Sequence, residues 1–367
     1  MNCTLKYLVN SFRRTVMQRM THNIGSSFSN QSGKLSQTDE IRKILIIRPN
    51  SRLGNQLLIS PLLQEIESTL PNAKIDLFVR GNLAPILFSN YNNINRIIKL
   101  PPKPFKQLPA YIKTWVSLLS HSYDLVFNVD AGSSSGRLST KLSRGRCKCF
   151  GERNAQLDLT EEYQHMGRWP VYNFRLFLSA IGLRSYNNPI PSLSLQLSTT
   201  EKENGKLILE RLVQNKRPTI MLYTFATGAK CLSKEWWSNF YSQLKEYYGN
   251  DYNILEVLPK EKVSQIDFAA TSYYSTDIRE MGAVISNGAI FITGDCGVMH
   301  LASSVNIPTV GLFSTTNIDT YKPYNKGSFA LYASNIDTGK LLQKVYDVLN
   351  KTSLIIANIL YMFIDSL

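Results

Sequence analysis

The chain has 367 residues, of which 43% are hydrophobic and 19% are charged. A chain of this length is longer than a domain with one ordinary hydrophobic core, and its composition is too apolar for a disordered chain. We therefore expect two globular domains. The formal net charge of +14 predicts a surface that attracts anions such as phosphates, acidic lipid headgroups or nucleic acid. The sequence contains no recognisable nucleic-acid motif, and we do not expect nucleic acid to be the partner.

The cysteines form an odd set without metal-like Cys-x-x-Cys spacing, which is typical of a reducing compartment. We therefore predict a cytoplasmic protein. No run approaches the ~20 apolar residues that a membrane-spanning helix needs. No cluster of His, Cys, Asp or Glu has ligand spacing, and an Asp-x-Asp motif is absent, so we expect neither a metal nor a cofactor. The five cysteines are Cys3, Cys147, Cys149, Cys231 and Cys296.

The first forty residues are basic. Apolar residues recur at helical spacing from Leu5 to Met20, with Arg13, Arg14 and Arg19 among them, which predicts an amphipathic helix. Two interpretations stay open, namely weak contact with the anionic inner face of the plasma membrane and an ordinary docking helix. Residues 24–40 are rich in Ser, Gly, Asn and Gln and predict a flexible linker, so that residues 1–40 precede the first folded domain.

Residues 41–192 alternate between strand-like and helix-like segments, which predicts a Rossmann-like domain built from βαβ units. The apolar runs are short and nearly continuous, as in buried parallel strands. In chain order we predict strand Lys43–Arg48, helix Asn55–Leu70, strand Lys74–Val79, strand Ile94–Leu100, helix Lys106–His121 and strand Asp124–Asp130.

Residues 193–350 repeat this alternation after a Pro-rich stretch and predict a second Rossmann-like domain. The expected architecture is α/β, with two parallel sheets facing a central cleft. Residues 351–367 are apolar and predict a C-terminal packing helix. The predicted elements are strand Thr219–Thr224, helix Lys234–Tyr248, strand Asn253–Leu258, helix Asp277–Asn287, strand Ala289–Thr293, helix Val298–Val305 and strand Thr309–Phe313.

Parallel sheets bind ligands beyond the carboxyl ends of their strands, so the turns after Arg48, Thr224 and Thr293 are the informative ones. The first turn, Arg-Pro-Asn-Ser-Arg-Leu-Gly-Asn-Gln, has Gly54 entering a helix whose first amides are unpaired. Its glycine spacing is not Gly-x-Gly-x-x-Gly. Two interpretations of this turn stay open, namely a binding site for a polar ligand and a purely structural turn.

The second turn, Phe-Ala-Thr-Gly-Ala-Lys-Cys-Leu-Ser-Lys-Glu-Trp-Trp, combines a hydroxyl, a glycine and two lysines ahead of a helix. These groups are suited to phosphate binding. The alternative is that Lys230 and Lys234 are merely solvated and that Trp236 and Trp237 anchor the helix.

The third turn, Thr-Gly-Asp-Cys-Gly-Val-Met-His, runs from a hydrophobic strand through Asp295 and Gly297 into a helix that carries His300. A diphosphate would be favoured at that helix N-terminus. The alternatives are that Asp295 is an N-cap and that His300 is a hydrogen-bonded core histidine.

Together the three turns resemble glycosyltransferase family 9, the heptosyltransferases, over about Lys43 to Tyr324. The strongest part is Asp-Cys-Gly-Val-Met-His followed by a small-residue helix and a strand ending Phe-Ser-Thr-Thr, where Ser314 replaces the family's glycine. The resemblance implies a two-domain GT-B fold in which the third turn lines a nucleotide-sugar site. By this resemblance the donor-binding residues are Thr227, Gly228, Lys234, Glu261, Asp295, Cys296, Gly297 and His300.

The first turn departs from the family pattern. The family's Ser-x-x-Gly-Asp element has an aspartate as general base, whereas this chain has Asn55 there, and an amide cannot take a proton. Asn55 is therefore expected to orient the acceptor hydroxyl, with Ser51 and Arg52 on the acceptor side. Asp130 is a candidate substitute base, or else a cap for the segment Ser133–Ser143.

The resemblance implies an inverting, metal-independent transfer of a heptose or related sugar from an ADP-heptose-like donor. The acceptor is expected to be a lipopolysaccharide-type or other cell-envelope saccharide or glycolipid. The alternative, motivated by Asn55, is a catalytically impaired protein that binds a sugar nucleotide or glycan.

Overall fold

The computed structural model describes residues 40–102, 107–152, 161–184 and 188–350, together with Arg19 and Ile24. The helices predicted near the N-terminus and over 351–367 lie outside these residues. The chain separates into two compact units, the first ending at Pro191 and the second beginning at Ser192. No helix within the described ranges combines the length and the apolar character needed to cross a bilayer.

Unit 1 contains a five-stranded parallel sheet in the order β3-β2-β1-β4-β5. Its central strand is buried at five of six positions, because helices cover both faces of such a sheet. Crossovers run outward from β1 in both directions, so the carboxyl ends of β1 and β4 form the switch point of the sheet. The strands are β1 Lys43–Arg48, β2 Lys74–Arg80, β3 Ile94–Leu100, β4 Ser122–Asn128 and β5 Arg144–Cys149.

The helix predicted over Asn55–Leu70 is two helices, and Pro61 explains the break. A proline has no amide proton to donate and its ring crowds the carbonyl four residues back, which is that of Leu57. The Ser60 hydroxyl donates to this carbonyl instead, at 2.7 Å. The helices of unit 1 are α1 Leu53–Leu57, α2 Ser60–Thr69, α3 Ala84–Leu87, α4 Leu108–Ser117, α5 Ser134–Leu142, α6 Glu161–Gln164 and α7 Trp169–Ala180.

Unit 2 contains a six-stranded parallel sheet in the order β11-β10-β9-β6-β7-β8. Counted within the unit, this is the order 6-5-4-1-2-3, which is typical of a Rossmann fold. The switch point lies between β6 and β9, which pair in parallel from Ile220–Ile290 to Tyr223–Thr293. The strands are β6 Thr219–Tyr223, β7 Asn253–Val257, β8 Thr271–Tyr273, β9 Ile290–Gly294, β10 Thr309–Phe313 and β11 Phe329–Tyr332.

The helices of unit 2 pack on this sheet through apolar faces. Helix α9 contributes Trp237, Phe240 and Leu244, each at most 1% exposed. Helices α8 and α10 approach so closely that a Cβ on Gly205 would lie 2.3 Å from the Ala283 carbonyl carbon. The helices are α8 Thr199–Val213, α9 Lys234–Tyr248, α10 Ile278–Ile285, α11 Gly297–Ser304, α12 Ile318–Tyr321 and α13, residues 338–350.

Candidate functional site

The turns after β6, β9 and β10 meet at the carboxyl edge of the unit 2 sheet. The Lys230 ammonium lies 2.6 Å from a carboxylate oxygen of Asp295, which joins the turn after β6 to the turn after β9. The Ser314 hydroxyl donates to the Ala229 carbonyl at 3.0 Å, which ties in the turn after β10. The serine that replaces the family's glycine therefore has a structural role in holding these turns together.

Asp295 is buried, with 5% of its side chain exposed, whereas Lys230 is 38% exposed. A buried carboxylate requires a partner, and Lys230 supplies it. The alternative interpretation of Asp295 as an N-cap does not hold, because Cys296 occupies that position in an extended conformation and helix α11 begins at Gly297. The N-cap Cys296 makes no side-chain cap hydrogen bond, but its sulfur lies beside the Val298 and Met299 amides and interacts with them. Sulfur is a weak acceptor, so this helix N-terminus remains suited to an anion.

His300 lies on α11 and is 5% exposed. The pKa of His300 is lowered to about 4, mainly by burial; the Asp295 carboxylate opposes this change and the positive charge of Lys230 adds to it. The ring is therefore neutral at pH 7. It packs edge-on against Tyr321, with ring centroids 6.2 Å apart. The side chain has no hydrogen-bond partner among the described residues, so the structure does not support the alternative of a hydrogen-bonded core histidine.

Thr227 and Gly228 lie exposed in the turn after β6. Gly228 has φ of +64°, and a Cβ built on it would have no heavy atom within 4 Å. A positive φ favours glycine here, and the open space leaves the backbone accessible.

Cys296 is half-buried beside this edge, and burial raises the pKa of its thiol, so it is a neutral group at pH 7.

Lys234 begins helix α9, and its ammonium lies 2.6 Å from Asp267. Both side chains are largely exposed, at 55% and 73%, so water screens this pair and its release costs little free energy. Glu261 is also exposed, with Lys260 at 3.7 Å. Lys234, at the start of the helix that follows β6, and Glu261, in the loop after β7, are not joined to Asp295 by any contact within the described residues.

A buried glutamate, which was not predicted from the sequence, also stabilises this carboxyl edge of the unit 2 sheet. Glu256, on β7, is fully buried and accepts a hydrogen bond from the Thr224 hydroxyl at 2.6 Å. The Gln265 amide donates to the same hydroxyl at 3.1 Å. Burial raises the pKa of Glu256. An acidic residue inside an otherwise apolar strand run was the signal that could have indicated it.

In unit 1 the switch point between β1 and β4 carries a second charged pair. Arg48 ends β1, and its guanidinium lies 2.5 Å from Asp130, which follows β4. The other carboxylate oxygen of Asp130 accepts from the Gly132 amide at 2.9 Å. The idea that Asp130 caps the next helix is wrong, because Ser133 is the N-cap of α5 and accepts from the Gly136 amide.

The turn after β1 holds the remaining predicted residues. Ser51 and Arg52 are exposed, and Asn55 is half-buried on α1. The buried Gln56 amide donates to the carbonyls of Asn50 and Arg80, at 2.8 and 3.1 Å, which fixes the turn against the end of β2. The Asn55 side chain has no hydrogen-bond partner among the described residues and is available to a ligand.

Solved structures with this architecture include glycosyltransferases. A family 9 glycosyltransferase from Veillonella parvula DSM 2008 matches with a TM-score of 0.69 and 13% identity, covering 86% of this chain and 100% of that one. The E. coli heptosyltransferase WaaC with ADP matches with a TM-score of 0.61 and 18% identity, covering 83% and 99%. The two Rossmann-like parallel-sheet units of this chain therefore have the GT-B fold of these glycosyltransferases.

The sequence comparisons agree with the fold. The family model for glycosyltransferase family 9 (heptosyltransferase) matches residues 111–350, and the chain belongs to this family. It is 21% identical to lipopolysaccharide heptosyltransferase 3 of Escherichia coli, over 77% of this chain and 86% of that protein. It is 23% identical to lipopolysaccharide heptosyltransferase 2 of E. coli K12, over 77% and 85%.

Proposed function

We propose that this glycosyltransferase moves a heptose or related sugar from an ADP-heptose-like donor to a lipopolysaccharide-type or other cell-envelope saccharide. The observation that carries the proposal is the Lys230–Asp295 pair, which joins two turns at the N-terminus of α11. The proposed ADP-linked donor is also supported by the similarity of this chain to heptosyltransferase WaaC, whose structure contains ADP.

The donor diphosphate is proposed to lie at the first amides of α11, in the turn that contains Cys296 and Gly297. The partial positive charge of a helix N-terminus favours an anion there, and the Cys296 sulfur beside the Val298 and Met299 amides is only a weak competing acceptor. Lys234 is proposed to leave the exposed Asp267 and bind the diphosphate, since exchanging one carboxylate for a doubly charged group gains charge-assisted hydrogen bonds. Thr227 and Gly228 present a hydroxyl and an accessible backbone to the same group.

The ribose and base are proposed to contact neutral or acidic groups at this edge. Glu261, exposed after β7, is the proposed acceptor for ribose hydroxyls. His300 is neutral at pH 7 because burial lowers its pKa to about 4. It can therefore exchange hydrogen bonds with the nucleotide without adding charge.

The acceptor is proposed to bind unit 1, with Ser51 and Arg52 as its contacts and the Asn55 amide orienting its hydroxyl. Asp130 is the proposed general base. The acceptor oxygen attacks the anomeric carbon, its proton goes to the Asp130 carboxylate, and the bond to the diphosphate breaks with the electron pair leaving on the diphosphate. Attack from the face opposite the leaving group inverts the anomeric configuration. Helix amides and Lys234 would neutralise the leaving group without a metal.

A panel of activated sugars tests this proposal. Purified full-length protein is titrated by calorimetry with ADP-, GDP-, UDP- and CMP-activated sugars, and transfer to a heptose-deficient lipopolysaccharide core is followed by mass spectrometry. We expect ADP-heptose to bind most tightly and the acceptor to gain the mass of one sugar. Absence of binding by every nucleotide sugar would refute the proposal.

The second candidate function is a sugar-nucleotide or glycan binding protein without transferase activity. It is favoured by Asn55 at the base position and by the engagement of both Asp130 oxygens by Arg48 and Gly132. Donor binding without transfer to any acceptor, and without donor hydrolysis, would favour this candidate.

A further inference from the structure

Helix α4 of unit 1 is apolar on two adjacent faces, one packed on its own domain and one exposed. Its inner face packs on the sheet through Tyr111, Trp115 and the fully buried Leu118 that follows the helix. Trp115 contacts Phe78 edge-on, with ring centroids 5.9 Å apart. The apolar residues needed to hold the helix on its own domain are therefore already accounted for.

The outer face of α4 consists of Leu108, Ile112, Val116 and Leu119, which are 52%, 53%, 57% and 41% exposed. These residues follow one another at intervals of four, four and three, so they form one stripe along the helix and its last turn. Single exposed apolar residues are common on surfaces, but a contiguous stripe marks an interaction site.

The charge around this outer face is positive. Lys113 is exposed on the helix itself. Lys99 is exposed on the edge strand β3, and its carbonyl accepts from Thr114 of the helix at 3.5 Å. No acidic residue occurs in the sequence between Asp76 and Asp124. An apolar stripe bordered by lysines, without acids, is the pattern of a helix that lies in the headgroup region of an anionic bilayer.

We propose that the outer face of α4 docks this protein on an anionic lipid surface. The helix has ten residues and is about 15 Å long, so its stripe is short for the roughly 800 Å² per partner of a stable protein interface. A bilayer needs no shape complementarity, because insertion of a few side chains and attraction of nearby lysines suffice. The docking is independent of the donor chemistry and would bring unit 1 to an acceptor anchored in the membrane.

Vesicle co-sedimentation of the full chain tests this proposal, without donor or saccharide present. The vesicles are phosphatidylglycerol mixed with phosphatidylcholine, compared with phosphatidylcholine alone. We expect binding to the anionic vesicles that weakens with added salt. The double variant Ile112→Ser/Val116→Ser should lower the partition coefficient at least about tenfold, because two apolar side chains no longer leave water.

The variant Lys113→Glu keeps the apolar stripe and reverses one charge, so it should lower binding to the anionic vesicles roughly tenfold at low salt. Leu207→Ser is the matched control, since Leu207 is 51% exposed on α8 in unit 2 and should leave binding unchanged. Unfolding temperatures of all variants should match that of the wild type, because every substituted side chain is exposed.

Wild-type vesicle binding by the Ile112→Ser/Val116→Ser variant would overturn the proposal. The proposal would also be overturned if Arg13→Glu/Arg14→Glu lost vesicle binding while the outer-face variants bound as the wild type does. That result would assign the membrane contact to the N-terminal segment. A dimer in sedimentation velocity that Ile112→Ser/Val116→Ser dissociates, with vesicle binding retained, would instead make the outer face a protein interface. None of these results bears on the proposed sugar transfer, because the assay contains no sugar.

Discussion

The Lys230 ammonium lies 2.6 Å from the Asp295 carboxylate, across 65 positions of sequence, and joins the turn after β6 to the turn after β9. Asp295 is almost fully buried and Lys230 is partly exposed. The two strands are neighbours at the switch point of the unit 2 sheet. The pair therefore fixes the entry to helix α11, where the donor diphosphate is proposed to bind.

The unequal burial of this pair predicts unequal costs of removing each partner. Lys230→Met leaves a buried carboxylate without its counter-charge and should lower the free energy of unfolding by about 3 kcal/mol. Asp295→Asn leaves a lysine that can turn to water and should cost less than about 1.5 kcal/mol. Urea unfolding at pH 7 measures both. Equal losses would mean that Lys230 does not compensate the Asp295 charge.

Asp130 and Asn55 are predicted to have separable effects on transfer. Asp130→Asn keeps a hydrogen-bond acceptor for Arg48 but removes the proposed base, so kcat should fall by roughly 10²–10⁴ while donor affinity is unchanged. Asn55→Asp introduces the carboxylate of the family pattern and should restore part of that activity in the double variant. Initial rates of transfer and calorimetric donor affinity give the two readouts. Full activity in Asp130→Asn would exclude it as the base.

Acidification should destabilise the protein through His300. The folded-state pKa of His300 is about 4, below its unfolded value near 6.5, so protonation favours the unfolded chain. The contribution of the neutral ring to the free energy of unfolding is fully present above about pH 6.5. It is lost as the pH falls toward 4, and the loss amounts to up to about 3 kcal/mol. His300→Gln cannot ionise. Its unfolding free energy should therefore change less between pH 7 and pH 4.5 than that of the wild type.

A buried ion pair is predicted to be important for the stability of unit 1. Arg175 of α7 meets Glu65 of α2 with two hydrogen bonds, at 2.7 and 2.8 Å, and both side chains are less than 10% exposed. Arg175→Met leaves an uncompensated buried carboxylate and should cost about 3–5 kcal/mol. Glu65→Leu/Arg175→Met should recover much of this loss. Disruption of the exposed pair Lys206–Glu210 by Lys206→Ala is the control, at under about 1 kcal/mol.

Much of the fold could be predicted because buried parallel strands are short apolar runs. The predictions for β1, β3 and β10 match the structure at both ends, and that for α9 does as well. Strand β5, with the sequence Arg-Gly-Arg-Cys-Lys-Cys, was missed because it lies at a sheet edge and carries polar side chains. Helix α8 was also missed, although Ser198 and Glu201 form a capping box at its start.

The site was predictable in its parts but not in its connections. Turn sequences indicated Asp295 and Lys234, because glycines, hydroxyls and charges after strands are local signals. The partnership of Asp295 with Lys230 depends on β6 and β9 being neighbours, and sheet order is set by crossovers and not by the residues of either turn. The same reason hides the pairing of Arg48 with Asp130 across β1 and β4.

The affinity of Lys234→Ala for ADP tests the central claim most directly. Calorimetry at low ionic strength should show a dissociation constant about tenfold or more above that of the wild type, since a charge-assisted contact with the diphosphate is lost. The unfolding temperature should not change, because the Lys234–Asp267 pair is exposed. Lys260→Ala, in the neighbouring loop, should bind ADP as the wild type does. Wild-type affinity in Lys234→Ala would contradict the claim that this edge of unit 2 binds the donor through Lys234.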